Sequence, residues 1–256
     1  KKPYLLSSSY IPNYTSGLTF FIAVAATNLF HQGNWQRVYA AKNFDVLKKS
    51  LIFAFIVIIP IVLFMGFSGL VAISIDSSVR PDLSFFFLLL KDQTEFLSII
   101  IIILGLSLTI STVDTLINAI SSLIVVDGKA TFNFSKNVNY LKISKYFIVG
   151  LSIIAFIVAS KGFSILYLFL LADLFCCAFV LTVFYSFYNK NINEQTAYFS
   201  IIFGLIGGFL LFPTPDFSKS LLVGIMLPTE LFHTFVSQSL LFLSFLIATL
   251  GPAIVI

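Results

Sequence analysis

Charge is scarce in this chain: only 10% of its 256 residues are Asp, Glu, Lys or Arg, against 59% hydrophobic. The mean hydropathy is +1.03. A soluble domain of this length does not tolerate that balance, so the composition describes an integral membrane protein. Cysteine is almost missing. Cys176 and Cys177 are adjacent inside an apolar run, so they staple no distant segments and say nothing about a redox compartment. They read as small buried hydrophobes. No metal cluster, nucleophile-and-base pair or phosphate loop stands out in the sequence, so covalent chemistry is not called for and an enzyme is not expected. The net charge of +4 does not argue for nucleic acid. The basic residues sit in short loops between apolar runs, where the bias towards a positive cytoplasmic side accounts for them.

Long apolar runs are what the chain has in place of charge. A hydrocarbon core of about 30 Å takes roughly 20 helical residues. Seven spans are expected on that basis, about Ile11 to Phe30, Leu51 to Ile73, Phe96 to Val126, Tyr146 to Ser160, Phe163 to Tyr188, Tyr198 to Phe212 and Phe232 to Ile256. Backbone groups in lipid must pair within their own segment, and these runs are too long and too evenly apolar for barrel strands, so the fold is expected to be all-α. The loops after the first, third and fifth spans hold Arg37, Lys42, Lys48, Lys49, Lys129, Lys136, Lys142, Lys145 and Lys190, against the acids Asp45, Asp127 and Glu194. They read as cytoplasmic. The segments Asp76 to Glu95 and Pro213 to Glu230 are acidic or mixed and read as the outer side. Within them, Phe85 to Leu90 and Leu221 to Leu227 are apolar but too short to span. Trp35 and several tyrosines fall where an interfacial belt is expected, and His233 reads as interfacial.

The third span is unlike the others. Gly105 to Asp127, GLSLTISTVDTLINAISSLIVVD, carries hydroxyls, an amide and a carboxylate in an otherwise apolar run. At about 100° per residue, Ser107, Ser111, Asp114, Thr115, Asn118, Ser121 and Ser122 share an arc of roughly 120°, with Thr112 just outside it. A row of this kind is expected to face protein or water. A charged side chain mid-span costs at least about 2.5 kcal/mol on insertion scales, which makes an intramembrane acid a functional hypothesis by default. Asp173, in LLADLFCC of the fifth span, is the other such acid.

Three stretches carry a resemblance. HQGNWQRVYAAKN, His31 to Asn43, is similar in Gln32, Gln36, Arg37, Ala40, Ala41 and Lys42 to a cytoplasmic stretch of the sodium:solute symporter family. STVDTLINAISSLIVVD resembles that family's sodium-site helix, with two successive hydroxyl residues and an Asp about fifteen residues on. FYSFYNKNINEQTAYFSIIFGLIGG resembles its aromatic pair, polar turn and Gly-rich next helix. The resemblance implies a five-plus-five inverted repeat. On that mapping, residues 1–188 are the second repeat, residues 189–256 are peripheral spans, and the first repeat lies in a missing N-terminal half. The chain starts at Lys1 and ends in an apolar run, and it is expected to be a piece of a longer protein, although a natural short form is the other reading.

What the resemblance implies about function is sodium-coupled symport of a small polar solute across an inner or plasma membrane, with the lipid bilayer as surroundings and no organic cofactor. Sodium would be held by the hydroxyls of Ser111 and Thr112 and the carbonyl of Leu108, with further carbonyls from the absent half. Asp114 and Thr115 stand where some members have a second sodium site; the carboxylate is open to an ion or proton role, to contact with a substrate amine, or to a structural pair. Thr27, Asn28 and Asp173 are candidates for lining the substrate cavity, with helix capping the bland alternative for Asp173. A discontinuous first helix is expected near Thr27-Asn28 and His31 to Asn34; an ordinary helix ending near Phe30 is the alternative. Gln32, Gln36 and Arg37 form the cytoplasmic motif, where bracing of loops competes with a gate role. Two other classes stay open: a symporter-like sensor joined to a signalling module, and a membrane enzyme using Asp114 and Asp173 as an acid pair.

Overall fold

The computed structural model describes residues 7–80, 83–131, 139–189, 192–217, 220 and 234–256. Among them the chain is all-α, with ten α-helices and one isolated bridge between Pro213 and Ser220. They are α1 Ile11–Phe30, α2 Gln32–Tyr39, α3 Phe44–Ile75, α4 Ser84–Leu90, α5 Glu95–Ser122, α6 Gly128–Thr131, α7 Tyr140–Ser160, α8 Ile165–Tyr188, α9 Glu194–Leu211 and α10 Thr234–Leu250. A π-helical turn, Leu123–Asp127, carries α5 into α6, and a 3₁₀ turn, Gly251–Ile254, follows α10.

The helix starts are written locally in the sequence. Asn43, Thr94, Asn139 and Asn193 each accept a hydrogen bond from the backbone N–H three residues on, at 2.9, 3.4, 3.1 and 2.7 Å, and so satisfy one of the orphan donors of α3, α5, α7 and α9. Asp45, Glu95 and Glu194 add a negative charge to the first turn of three of these helices, where the helix dipole favours it. Pro12 fits the first turn of α1, where no N–H is needed. At Gly162, φ is +67°, the left-handed conformation that glycine adopts at no steric cost, and α7 ends there.

Five helices are long and apolar enough to cross a membrane: Phe44–Ile75, Glu95–Asp127, Tyr140–Ser160, Ile165–Tyr188 and Glu194–Leu211. They correspond to the second to sixth expected spans, most of them extended by several residues at the N-terminal end. The first expected span has the bounds of α1, but Asn13, Tyr14, Thr15, Ser16, Thr19, Thr27 and Asn28 dilute its hydropathy below that of the five. At the other end of the chain α10 is a shorter apolar helix than the five. Phe85 to Leu90 folds as part of α4, a helix of 7 residues. Leu221 to Leu227 and His233 lie outside the described residues.

The helices divide into two compact units, Lys1–His31 with Phe163–Ile256, and Gln32–Gly162, a division made by packing that differs from the expected one at residues 188 and 189. The first unit is built on α1, α8, α9 and α10. Ala23, Ala26, Leu170, Leu174, Cys177, Phe212, Phe245 and Ala248 form its core. Glycines let α9 and α10 approach closely: a Cβ at Gly204 would lie 2.8 Å from the Ala248 carbonyl oxygen, and one at Gly208 would lie 2.9 Å from the Ala248 Cβ. Small residues four apart are how membrane helices reach this distance. Several polar groups in this packing are paired across helices. Thr182 and Ser200 share a buried hydroxyl bond of 2.8 Å, and Ser244 donates to the Gly208 carbonyl at 2.7 Å.

The second unit is looser. α3 buries Ala72 alone and α5 buries Ala119 alone, whereas α8 in the first unit buries seven side chains. α5 packs against α7 near its C-terminal end, where Ser121 and Ser144 hydroxyls meet at 3.2 Å.

Candidate functional site

Two polar clusters lie within membrane-length helices, one in each unit. On α5 the helical repeat places the oxygen row as its spacing requires, and the row divides along its length. Its C-terminal part, around Ala119 and Ser121, is covered by α7. Its middle is not: Ser107, Ser111, Thr112, Asp114 and Asn118 are exposed on the surface of the unit, and Thr115 is half-buried. Several hydroxyls bond back to their own helix. Ser107 donates to the Ile103 carbonyl at 2.8 Å, Thr112 to that of Leu108 at 3.0 Å and Thr115 to that of Ser111 at 3.0 Å. This is the ordinary behaviour of Ser and Thr in spans. It does not exhaust the oxygens, because a carbonyl has two lone pairs and each hydroxyl keeps its own. The Leu108 carbonyl and the Thr112 hydroxyl, expected to act together, are in fact joined. Asn118 donates to Asp114 Oδ2 at 3.4 Å, one turn along.

The second cluster joins α1 to α8. Thr27 donates its hydroxyl hydrogen to Asp173 Oδ1, across 146 residues of chain. Asp173 is 1% exposed, and its Oδ2 has no hydrogen-bond partner among the described residues. The next turn of α8 carries Cys177, whose thiol points at the Ile22 carbonyl of α1 at 3.9 Å. The residues singled out for a substrate cavity are thus partly brought together. Thr27 and Asp173 touch, while Asn28 is exposed and donates to the Val24 carbonyl of its own helix at 2.8 Å.

α1 ends at Phe30. His31 caps it in an extended conformation, φ −76° and ψ 102°, and helix resumes at Gln32. The helix is unbroken at Thr27 and Asn28 and ends at Phe30, as the alternative of an ordinary helix has it, with a break of one residue at His31 before α2. Nδ1 of His31 is a second buried atom without a partner among the described residues. Within α2, Gln32 is half-buried, and Gln36 and Arg37 are exposed. Asp114 and Asp173 belong to different units, and each has its own partners.

Sequence reasoning did not find the Thr182–Ser200 and Ser121–Ser144 hydroxyl pairs. Their signal is faint, because each helix carries more than one small hydroxyl and nothing in the sequence says which of them meet. No family model matches the chain, and neither a curated protein nor a solved structure matches it.

Proposed function

We propose that this chain is part of an ion-coupled secondary transporter that moves a small polar solute with sodium by alternating access. The observation that carries the reading is the oxygen row on α5: a membrane-length helix presents Ser111, Thr112 and Asp114 at mid-span on a face that its own unit leaves uncovered. Such a face is unfavourable against lipid and favourable against a cation or a polar partner. The resemblance to the sodium:solute symporter family adds the assignment of Leu108, Ser111 and Thr112 as sodium ligands. Hydroxyl and carbonyl oxygens suit a hard cation, and being neutral they cost little to desolvate when it leaves. On this reading seven spans make up the second inverted repeat and two peripheral helices, and the remaining ligands come from the N-terminal half of the same protein. Sodium at Ser111 and Thr112 ties α5 to that half and favours the outward-open state; rocking inward releases ion and solute. A membrane potential contributes about 2.3 kcal/mol per charge per 100 mV, enough to accumulate a solute against its gradient.

The test is uptake by the full-length protein in vesicles, with labelled amino acids, urea, sugars and carboxylates, with and without sodium. Replacing Ser111 and Thr112 together by Ala removes two ligand oxygens. It should raise the sodium concentration for half-maximal uptake by about tenfold or more, equivalent to roughly 1.4 kcal/mol. Uptake that ignores sodium, or an unchanged requirement in the double variant, removes the assignment.

A further inference from the structure

We propose that Asp173 and Thr27 form a second loading point that takes one bare positive charge, a proton or a dehydrated alkali cation, where α1 packs on α8. The site stands on the burial and bonding of Asp173, not on the sodium assignment in α5. Asp173 is 1% exposed, lies on a helix whose Leu170, Leu174, Cys177 and Ala178 are buried too, and its carboxyl receives one hydrogen bond, from Thr27. Oδ2 is buried without a donor among the described residues. A carboxylate that keeps its charge in apolar packing needs either several donors or a counter-charge. Thr27 also lies in the last turn of α1, whose carbonyls bring partial negative charge to the same place.

The described residues of this unit supply almost no counter-charge. Tyr14 in α1, Tyr167, Cys176, Cys177, Tyr185 and Tyr188 in α8, and Glu194 and Tyr198 in α9 are neutral or acidic, and α10 has no ionisable side chain. His31, one turn beyond Thr27, is the one basic side chain among them, and neither of its ring nitrogens bonds Asp173. Among the described residues no side chain neutralises Asp173, which leaves the place open to a charge taken from solution. Because Oδ2 is closed to anything the size of water, the charge arrives without a hydration shell. That suits a proton or a bare ion no larger than sodium better than an organic ammonium, and gives Asp173 the part of a loading point.

Infrared difference spectroscopy of the full-length protein in lipid tests this directly. In the proton arm, a carbonyl stretch of a protonated acid is present in the wild type, lost in Asp173→Asn, retained in Asp114→Asn, and titrates with pH while ignoring an exchange of sodium for choline. In the alkali arm, Asp173→Asn removes a carboxylate band that shifts when sodium replaces choline. Thr27→Val should displace whichever band is seen, and Thr27→Ser should restore it, which keeps the test open if Asp173→Asn does not fold. Bands that ignore pH, sodium and both Thr27 variants overturn the proposal. His31→Gln that abolishes the response also overturns it, since the charge would then be the imidazolium. An Asp173 band that responds as expected in a protein whose uptake ignores sodium would remove the transport reading and leave this site in place.

Discussion

α5 and α8 are both long enough to cross a membrane and each carries one acid away from its ends, yet the structure treats these two acids in opposite ways. α8 buries seven side chains, and Asp173 is inside that packing with a partner from α1. α5 buries one, and Asp114 is exposed beside Asn118 of its own helix. In water this contrast would mean little. In lipid it matters, because an apolar face can be left to acyl chains but a polar face cannot. The first unit turns most of its buried polar groups to internal pairs, Thr27 with Asp173 Oδ1, Thr182 with Ser200 and Ser244 with the Gly208 carbonyl, and leaves Asp173 Oδ2 over. The second leaves its polar face to something else, which is why the transport reading places the ion on α5.

The comparison breaks most sharply at the glycines. A Cβ at Gly204 would meet the Ala248 carbonyl at 2.8 Å and Pro252 at 2.8 Å, whereas one at Gly150 in α7 meets nothing within 4 Å. Gly204→Ala should therefore destabilise the first unit by about 1–3 kcal/mol, the usual range for overpacking. Gly150→Ala should be neutral or stabilise by about 0.5–1 kcal/mol through helix propensity. Thermal unfolding in one detergent, read on both variants, compares them. Equal shifts would mean that α9 and α10 do not pack as closely as described.

Smaller effects separate the hydroxyls. Thr182→Val leaves Ser200 without its buried partner and should cost about 0.6 kcal/mol, the average for such bonds between membrane helices. Ser111→Ala, at an exposed hydroxyl, should stay within about 0.5 kcal/mol of the wild type in stability. The readout for Ser111 is sodium dependence, not unfolding. A Ser111→Ala protein that unfolds as early as Thr182→Val would place this part of the row inside the packing and remove its claim to an ion.

How far the sequence reaches follows the same line between local and distant partners. The membrane-length helices and the periodic oxygen row on α5 depend on residues three or four apart, and they were legible; the Asn and Thr caps are as local but were not singled out. Thr27 and Asp173 were each singled out, but the bond between them was not, because no local pattern ties residues 146 apart. The division into units was hidden for the same reason: α1 packs with α8 and α10, which both pack with α9, and the segment between α1 and α8 forms a unit of its own. The hydroxyl pairs depend on which faces meet, which apolar runs of even composition do not record.

The smallest expected effect concerns an acid whose partners are entirely local. Asp76 caps the C-terminal end of α3, and its Oδ1 accepts from the Ser78 hydroxyl at 2.6 Å and from the Ser78 backbone N–H at 2.9 Å. The Ser78 hydroxyl first, then the backbone N–H, hold its carboxyl below the ordinary value of 3.8, with a lesser contribution from the charge of Lys91. A depressed value in the folded state means that the ionised form favours folding. That contribution is present above the ordinary carboxylate value and is lost as pH falls through the lowered one. Asp76 lies at the surface, so the effect on unfolding is slight, and the informative measurement is its own titration by carboxyl NMR. Ser78→Ala removes the hydroxyl and keeps the N–H, so the midpoint should rise towards the ordinary value without reaching it. An unchanged midpoint would show that the turn does not hold this bond in solution. The distinction between acids satisfied by neighbours two residues away and an acid satisfied by another helix would then rest on Asp173 alone.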